Sequence, residues 1–394
     1  MITDGHTLSE KELLSTFEWF HKHPELSFEE IETTKRIREI LTQANIEILD
    51  LPLETGLVAQ ITGGQPGPVI ALRCDIDALP IQEESGLPYE SANAGKMHAC
   101  GHDFHTTAIL GTTLLLKQRE SELKGTVRIL FQPGEESSLG ALKITETTAL
   151  NDVQAIFGIH TAANIPVGTV AISEGSVTAA VDTFRIHITG KGVHAAYPQK
   201  GIDPIVIAAQ LISAAQTIVS RNLDPFHAGL VSITHVSSGN TWNVIPTEAF
   251  MEGTVRTMDK DDRRLIPKRL EELAVNIAAA YNAKAEFNWI PGPPATDNDG
   301  EWAKFSAQVA EEAGLQVIAS TPGLGGEDFA FYQESLRGVY IQIGTGESEQ
   351  NHHPKFKVDP KALRPTVEYM AVLAEKALAQ LGGAQPFEGN GSAV

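Results

Sequence analysis

The segment His98-Ala99-Cys100-Gly101-His102-Asp103-Phe104-His105 places five possible metal ligands within eight residues. A thiolate, imidazoles and a carboxylate together suit zinc and other first-row divalent ions. Gly101 lets the backbone turn tightly enough for Cys100 and His102 to face one point. A lone Cys-x-His is more often a polar loop with a structural cysteine. The density of ligands here reverses that weighing, although the spacing matches no structural zinc finger.

Four further groups join it. Glu135 and Glu136 follow a Pro133-Gly134 break after an apolar stretch. Adjacent side chains diverge, so one Glu could ligate a metal while the other activates water as a general base. The blander account is an exposed pair at a helix start. His160 closes Ala155-Ile156-Phe157-Gly158-Ile159, and Asp75 and Asp77 follow Val69–Arg73, two apart and on one face if the chain stays extended. Asn351-His352-His353-Pro354 comes late in the chain. In Gly190-Lys191-Gly192-Val193-His194, the glycines allow close backbone approach, and His194 could donate to an oxyanion. Each has an ordinary explanation alone: a satisfied histidine, a surface loop, a turn. Packing gives no reason for Cys, His, Glu and His to recur at the ends of strands, where ligands of α/β sheets bind; a metal site does.

The elements that must position these groups read as α/β. Two helices span Ser9 to Asn45, broken at Pro24. Val69–Arg73, Gly125–Phe131 and Ala155–His160 read as buried strands, and Thr106–Gln118 as a helix with Asp103 near its start. Alternation of strands and helices implies a mostly parallel central sheet. Near Ala180 the character changes. Strands at Asp182–Thr189, Leu230–His235, Glu248–Thr257 and Ala285–Ile290 interleave with helices at Pro204–Ser220 and Asp261–Tyr281, an α+β layer inserted in the first domain. The bounds expected are 1-180 with 295-394 for the outer domain and 181-294 for the insert, returning through Pro291-Gly292-Pro293-Pro294. A helix at Trp302–Ala313, a strand at Val339–Ile343, a helix at Leu363–Leu381 and a small polar tail from Gly382 complete the chain.

The chain has 394 residues, 42% of them hydrophobic, enough for a large core in two or three domains. A formal net charge of -20 argues against nucleic acid and anionic membranes as partners. Two cysteines, Cys74 and Cys100, make no disulfide framework. The start lacks a basic, apolar leader, and no apolar run is expected to span a membrane, so a cytoplasmic address is expected.

These motifs resemble a known family. The chain looks like the metal-dependent amidohydrolases that include hippurate hydrolase, N-acetyldiaminopimelate deacetylase and the auxin-conjugate hydrolases, within the aminoacylase and carboxypeptidase G class of metallopeptidases. The resemblance runs from His23-Pro24-Glu25-Leu26-Ser27-Phe28 through Ala71–Pro80 and Met97–His105 to Gly326-Glu327-Asp328-Phe329 and His352-His353-Pro354. It implies an aminopeptidase-like catalytic domain with two divalent metal ions (Zn, Mn, Co or Ni), and a satellite domain that serves for dimerisation or higher self-assembly. Matched by motif, Cys100, His102, Glu136, His160 and His352 are the ligands, with Cys100 bridging. Glu135 is the general base acting on a metal-bound water, and Asp77 orients a ligand. His352 is chosen over His353 because relatives vary at the second position of that pair. Asp75 falls where the wider class has a metal-binding His. His194, with Asn243 and Arg256, is the substrate-binding set. Cys74, where Ala is usual, is taken as a packing substitution, and Phe20 stands where an Arg-rich pattern is common. The reaction implied is hydrolysis of a small N-acyl amino acid of N-acetyl or N-aroyl type, giving a carboxylic acid and the free amino acid. The alternatives are a dipeptidase or carboxypeptidase of the same fold, and a non-catalytic small-ligand binding protein. The latter predicts gaps among the ligands, and none is present.

Overall fold

A computed structural model describes residues 9–383. In chain order these run α1 (Glu10–Lys22), α2 (Ile31–Gln43), β1 (Glu47–Ile48), β2 (Leu57–Thr62), β3 (Gln65–Asp75), α3 (His102–Gln118), β4 (Lys124–Gln132), α4 (Gly140–Thr145), β5 (Val153–Ala162) and β6 (Thr169–Ala171). There follow β7 (Gly175–Thr178), β8 (Ala180–Thr189), β9 (Val193–His194), α5 (Pro204–Asn222), β10 (Gly229–Ser238), β11 (Val244–Ile245), β12 (Glu248–Thr257), α6 (Lys260–Ala280), β13 (Lys284–Ile290) and β14 (Thr296–Asn298). The described chain ends with α7 (Gly300–Glu312), β15 (Gln316–Ile318), β16 (Arg337–Gly344) and α8 (Leu363–Gly383). All but the first two residues of the expected polar tail lie outside the described residues; those two continue α8.

These elements form two compact units. One holds the described residues up to Gly175, Asp297–Thr321 and those from Phe331 on; the other holds Ser176–Thr296 and Pro322–Ala330. The last segment departs from the expected bounds. Backbone hydrogen bonds from Gly323 N to Val177 O and from Ala179 N to Gly325 O stitch it to the start of the second unit.

In the first unit eight strands make one sheet in the order β1-β2-β4-β3-β5-β16-β6-β15. Its centre, β4-β3-β5-β16, is parallel throughout. Strands buried on both faces run apolar, as Ile70-Ala71-Leu72 of β3 does, and the buried Arg73 and Asp75 beyond it pair with each other. Cys74 is fully buried in this core, as a packing residue would be. Helices α3 and α8 pack on each other and on β3. The antiparallel strand β2 beside β4, and the three-residue β6 and β15, are additions to the sequence reading.

The second unit carries the antiparallel sheet β10-β12-β8-β13. Along β8 one face is buried by Phe184, Ile186 and Ile188, as the alternation demands. Helix α5 corrects one expectation. It has 19 residues and is long and apolar enough to cross a membrane by composition. Its buried residues Ile207, Leu211, Ala215 and Ile218 pack instead with the sheet in the unit's core.

Candidate metal centre

Parallel neighbours align their carboxyl ends, and here those ends supply the site. Asp75 and Asp77 follow β3, Glu135 and Glu136 follow β4, His160 lies near the end of β5, and the loop after β16 carries His352. The remaining groups come from the start of α3. That helix begins at His102, four residues earlier than the sequence reading placed it. Gly101, at φ +87, turns the chain directly into the helix. A Cβ there would stand 2.6 Å from Thr161 Cγ2, so no larger residue fits. His102, Asp103 and His105 consequently sit on the first turn.

The structure brings Cys100, His102, Glu135, Glu136, His160 and His352 together. Cys100 Sγ lies 3.4 Å from His160 Nε2. His102 Nε2 is 3.9 Å from both Glu135 Oε2 and Glu136 Oε1, and Glu136 Oε1 is 3.4 Å from His352 Nε2. Cys100 forms one possible ligand trio with His102 and His160 and another with Glu136 and His352. The floor is buried, with His102 1% exposed, while His352 is 53% exposed and opens the site to solvent. His352 holds φ +69, a costly backbone state for a residue with a Cβ, fixed by its N–H donating to Ala99 O. His353 instead accepts from Lys355 N in its own loop.

Asp77 orients this set. Its carboxylate accepts from His102 Nδ1 at 3.2 Å, from the backbone N–H of Glu135 and Glu136 at 3.1 and 3.0 Å, and from Ser27 Oγ at 2.7 Å. With Nδ1 committed to Asp77, Nε2 is the ring atom turned to the cluster; burial opposes charge on His102, but the Asp75 charge and the bond to Asp77 hold it well above the usual imidazole range. The pair Glu135-Glu136 is placed by Gly134, at φ +64, against Phe28, whose ring leaves no room for a Cβ.

The electrostatics set a thiolate and carboxylates against imidazoles. Burial opposes ionisation of Cys100, yet the charge and hydrogen bond of His160, with His102 and His352 close by, hold it well below the usual thiol range. The Cys100 and Glu136 side chains beside it push His352 up to about 10. Burial raises Glu136. Two atoms facing the cluster, His102 Nε2 and Glu136 Oε1, are buried without a hydrogen bond. Such atoms are costly unless something else binds them. A soft thiolate, three imidazoles and carboxylates with bare lone pairs fit divalent first-row ions.

The substrate set lies in the second unit. His194, on β9, is exposed and accepts from Ala196 N at Nδ1, 3.1 Å away, so its neutral ring carries the proton on Nε2 as an outward donor. Ala195 N donates to Asn243 O, which keeps Asn243 beside it. Arg256, on β12, is hydrogen-bonded to Thr254 Oγ1 and Val255 O of its own strand.

Three supporting residues received no role from sequence. His105 bonds Asp75, Ser27 bonds Asp77, and Asn351 Nδ2 donates to Cys100 Sγ at 3.3 Å. Only His105 carried a signal, three residues after His102 and thus on the same helix face.

A buried thiolate–imidazole–carboxylate cluster at the carboxyl ends of parallel strands defines a metal-binding site of hydrolase type. The chain belongs to the peptidase family M20/M25/M40, whose model matches residues 71–376. It is 51% identical to a Bacillus subtilis (strain 168) protein named N-acetylcysteine deacetylase, over 90% of this chain and 93% of that one. It is 38% identical to the IAA-amino acid hydrolase ILR1-like 2 of Arabidopsis thaliana, over 87% and 80% of the two chains. Its fold matches the crystal structure of the Bacillus subtilis YXEP protein, described as a dinuclear metal binding peptidase. The TM-score is 0.86 at 47% identity, covering 94% of this chain and 98% of that one.

Proposed function

We propose that this protein hydrolyses the amide bond of a small N-acyl amino acid, with N-acetylcysteine as the first substrate to test. The observation that carries the reading is the convergence of five candidate ligand side chains in two trios that share Cys100, two of their facing atoms being buried without a hydrogen bond, with a second glutamate alongside. Cys100, His102, Glu136, His160 and His352 would hold two divalent ions, Cys100 being common to both candidate trios. The ions would supply Lewis-acid polarisation of the scissile carbonyl and acidification of water. Glu135 takes the proton of the attacking water and delivers it to the leaving amine. Its backbone N–H donates to Asp77, and its carboxylate lies 3.9 Å from His102 Nε2. His194, with Nε2–H outward, is assigned to the substrate's developing oxyanion. Self-association through the second unit belongs to the same reading. Its sheet ends on β10, exposed from Thr234 to Ser237.

The test is hydrolysis of N-acetyl and N-aroyl amino acids against dipeptides, after loading with Zn, Mn, Co or Ni separately. Faster cleavage of dipeptides overturns the N-acyl assignment. Glu135→Gln is expected to lower kcat by about 10²–10⁴ while metal content stays at the parent level. Loss of metal in that variant would place Glu135 among the ligands instead.

A further inference from the structure

Asp75 and His105 are fully buried beside the cluster, and the proposed chemistry uses neither. They belong to one chain of hydrogen bonds. Arg73 Nη1 donates to Asp75 Oδ2 at 2.7 Å, and Arg73 Nε donates to Gln132 Oε1 at 2.8 Å. Asp75 Oδ1 lies 2.5 Å from His105 Nδ1, and His105 Nε2 lies 2.7 Å from the backbone N of Thr161. A backbone N–H can only donate, so His105 Nε2 is the acceptor and carries no proton. The proton of the neutral ring is therefore on Nδ1, donated to Asp75. The tautomer follows from geometry alone.

What that ring holds is the residue on which two ligand segments meet. Thr161 O accepts from His160 Nδ1 at 2.8 Å, and His160 Nε2 lies 3.4 Å from Cys100 Sγ. Thr161 Oγ1 donates to Cys100 O at 2.7 Å. The same side chain fills the space beside Gly101. Thr161 thus joins the β5 ligand to the Cys100-Gly101-His102 turn, and His105 holds the remaining polar group of its peptide.

We propose that His105 is a positioning residue of the metal site. As an Nδ1-protonated neutral imidazole it fixes the Thr161 peptide, and through it sets the placement of His160 and Cys100. This rests on the reading of those two as ligands. Asp75 and Arg73 in turn fix the ring's tautomer, with Arg73 balancing the buried carboxylate.

Two substitutions separate the ring's two bonds. His105→Asn keeps a donor toward Asp75 and loses the acceptor for Thr161 N–H. His105→Gln places a carbonyl oxygen near the position of Nε2 and can keep that acceptor. Zn(II) affinity of the purified full chain is measured by competition with a chromophoric chelator, alongside the thermal midpoint of the metal-free protein. The Asn variant is expected to bind Zn(II) about 10–100-fold more weakly, and the Gln variant within about threefold of the parent. Parent-like affinity in the Asn variant overturns the proposal, even where the thermal midpoint falls. So does an equal loss in both variants. A parent that binds no Zn(II) overturns the ligand reading, and this proposal with it. Should the Asn variant not fold, two-bond ¹H–¹⁵N spectra of the ¹⁵N-histidine-labelled metal-free parent decide. A His105 ring protonated on Nδ1 and bare on Nε2 supports the proposal, and the opposite tautomer overturns it.

Discussion

Two buried ionic clusters lie one residue apart on the first turn of α3, and they are built in opposite ways. Asp103 belongs to the first. His21 Nδ1 sits 2.6 Å from Asp103 Oδ2 and its Nε2 2.9 Å from Glu83 Oε1. Glu83 also accepts from Ser85 Oγ and from Ser91 N, and Asp103 from Phe104 N. The neighbouring His102 belongs to the second cluster, where its Nε2 and Glu136 Oε1 have no hydrogen bond. A satisfied network holds the fold together; a network with bare lone pairs aimed at one point is built to bind something. Histidines and carboxylates occur in both, so those residue types do not separate them. Hydrogen-bond accounting does.

The contrast is broken most severely at Cys100. Cys100→Ala removes a group from both ligand trios. Its Zn(II) affinity is expected to fall by more than the ~10–100-fold typical of losing a supporting residue, and hydrolysis should fall to background. The metal-free thermal midpoint should stay near that of the parent. Equilibrium dialysis and calorimetry check both, and retained full activity would sink the site. His21→Leu should do the reverse. It leaves two buried carboxylates without their shared cation, at a cost of about 3–5 kcal/mol in denaturant unfolding, while the folded protein binds Zn(II) as the parent does.

A titration sharpens the same contrast. Burial opposes charge on His21, but hydrogen bonds to Asp103 and Glu83, with their charges, raise it from 6.5 to about 10. Of its other neighbours, Tyr89 is pushed up to about 12 and His98 down to about 4, so neither changes charge between those values. A raised folded-state pKa contributes stability that is complete below the unfolded value and lost as pH rises through the folded one. The parent, measured metal-free, should therefore lose stability between pH 6.5 and about 10. His21→Leu should show a flatter profile across that window. Equal slopes would remove His21 as the source.

The sequence made one cluster legible and hid the other for a physical reason. The candidate ligands are dense in sequence around Cys100 and others mark strand ends, so type and spacing point to a metal site, while the choice among them came from the family resemblance. His21 meets partners 62 and 82 residues away, and nothing local marks that meeting. Among elements, β12 was readable residue for residue because its alternation runs its whole length. The three-residue β6 and β15 are too short to show any period. The start of α3 was misplaced because His, Asp and Phe are ordinary helix formers; what sets it is Gly101 packed against Thr161 from a distant strand.

The smallest expected effect tests how evenly Asp77 shares its load. Its carboxylate accepts from four donors, and Ser27 Oγ, from the segment between α1 and α2, is the one that is neither a ligand nor part of the Glu135-Glu136 backbone. Ser27→Ala leaves three donors in place and exposes no unpaired charge. Removing one hydrogen bond to a carboxylate should cost about 1–2 kcal/mol in stability. Because His102 Nδ1 remains bonded to Asp77, Zn(II) affinity should move by no more than a few fold. A tenfold loss of affinity without a matching loss of stability would show that the hydroxyl aims the carboxylate at His102, and the boundary between the binding cluster and its support would then lie at Ser27 rather than at Asp77.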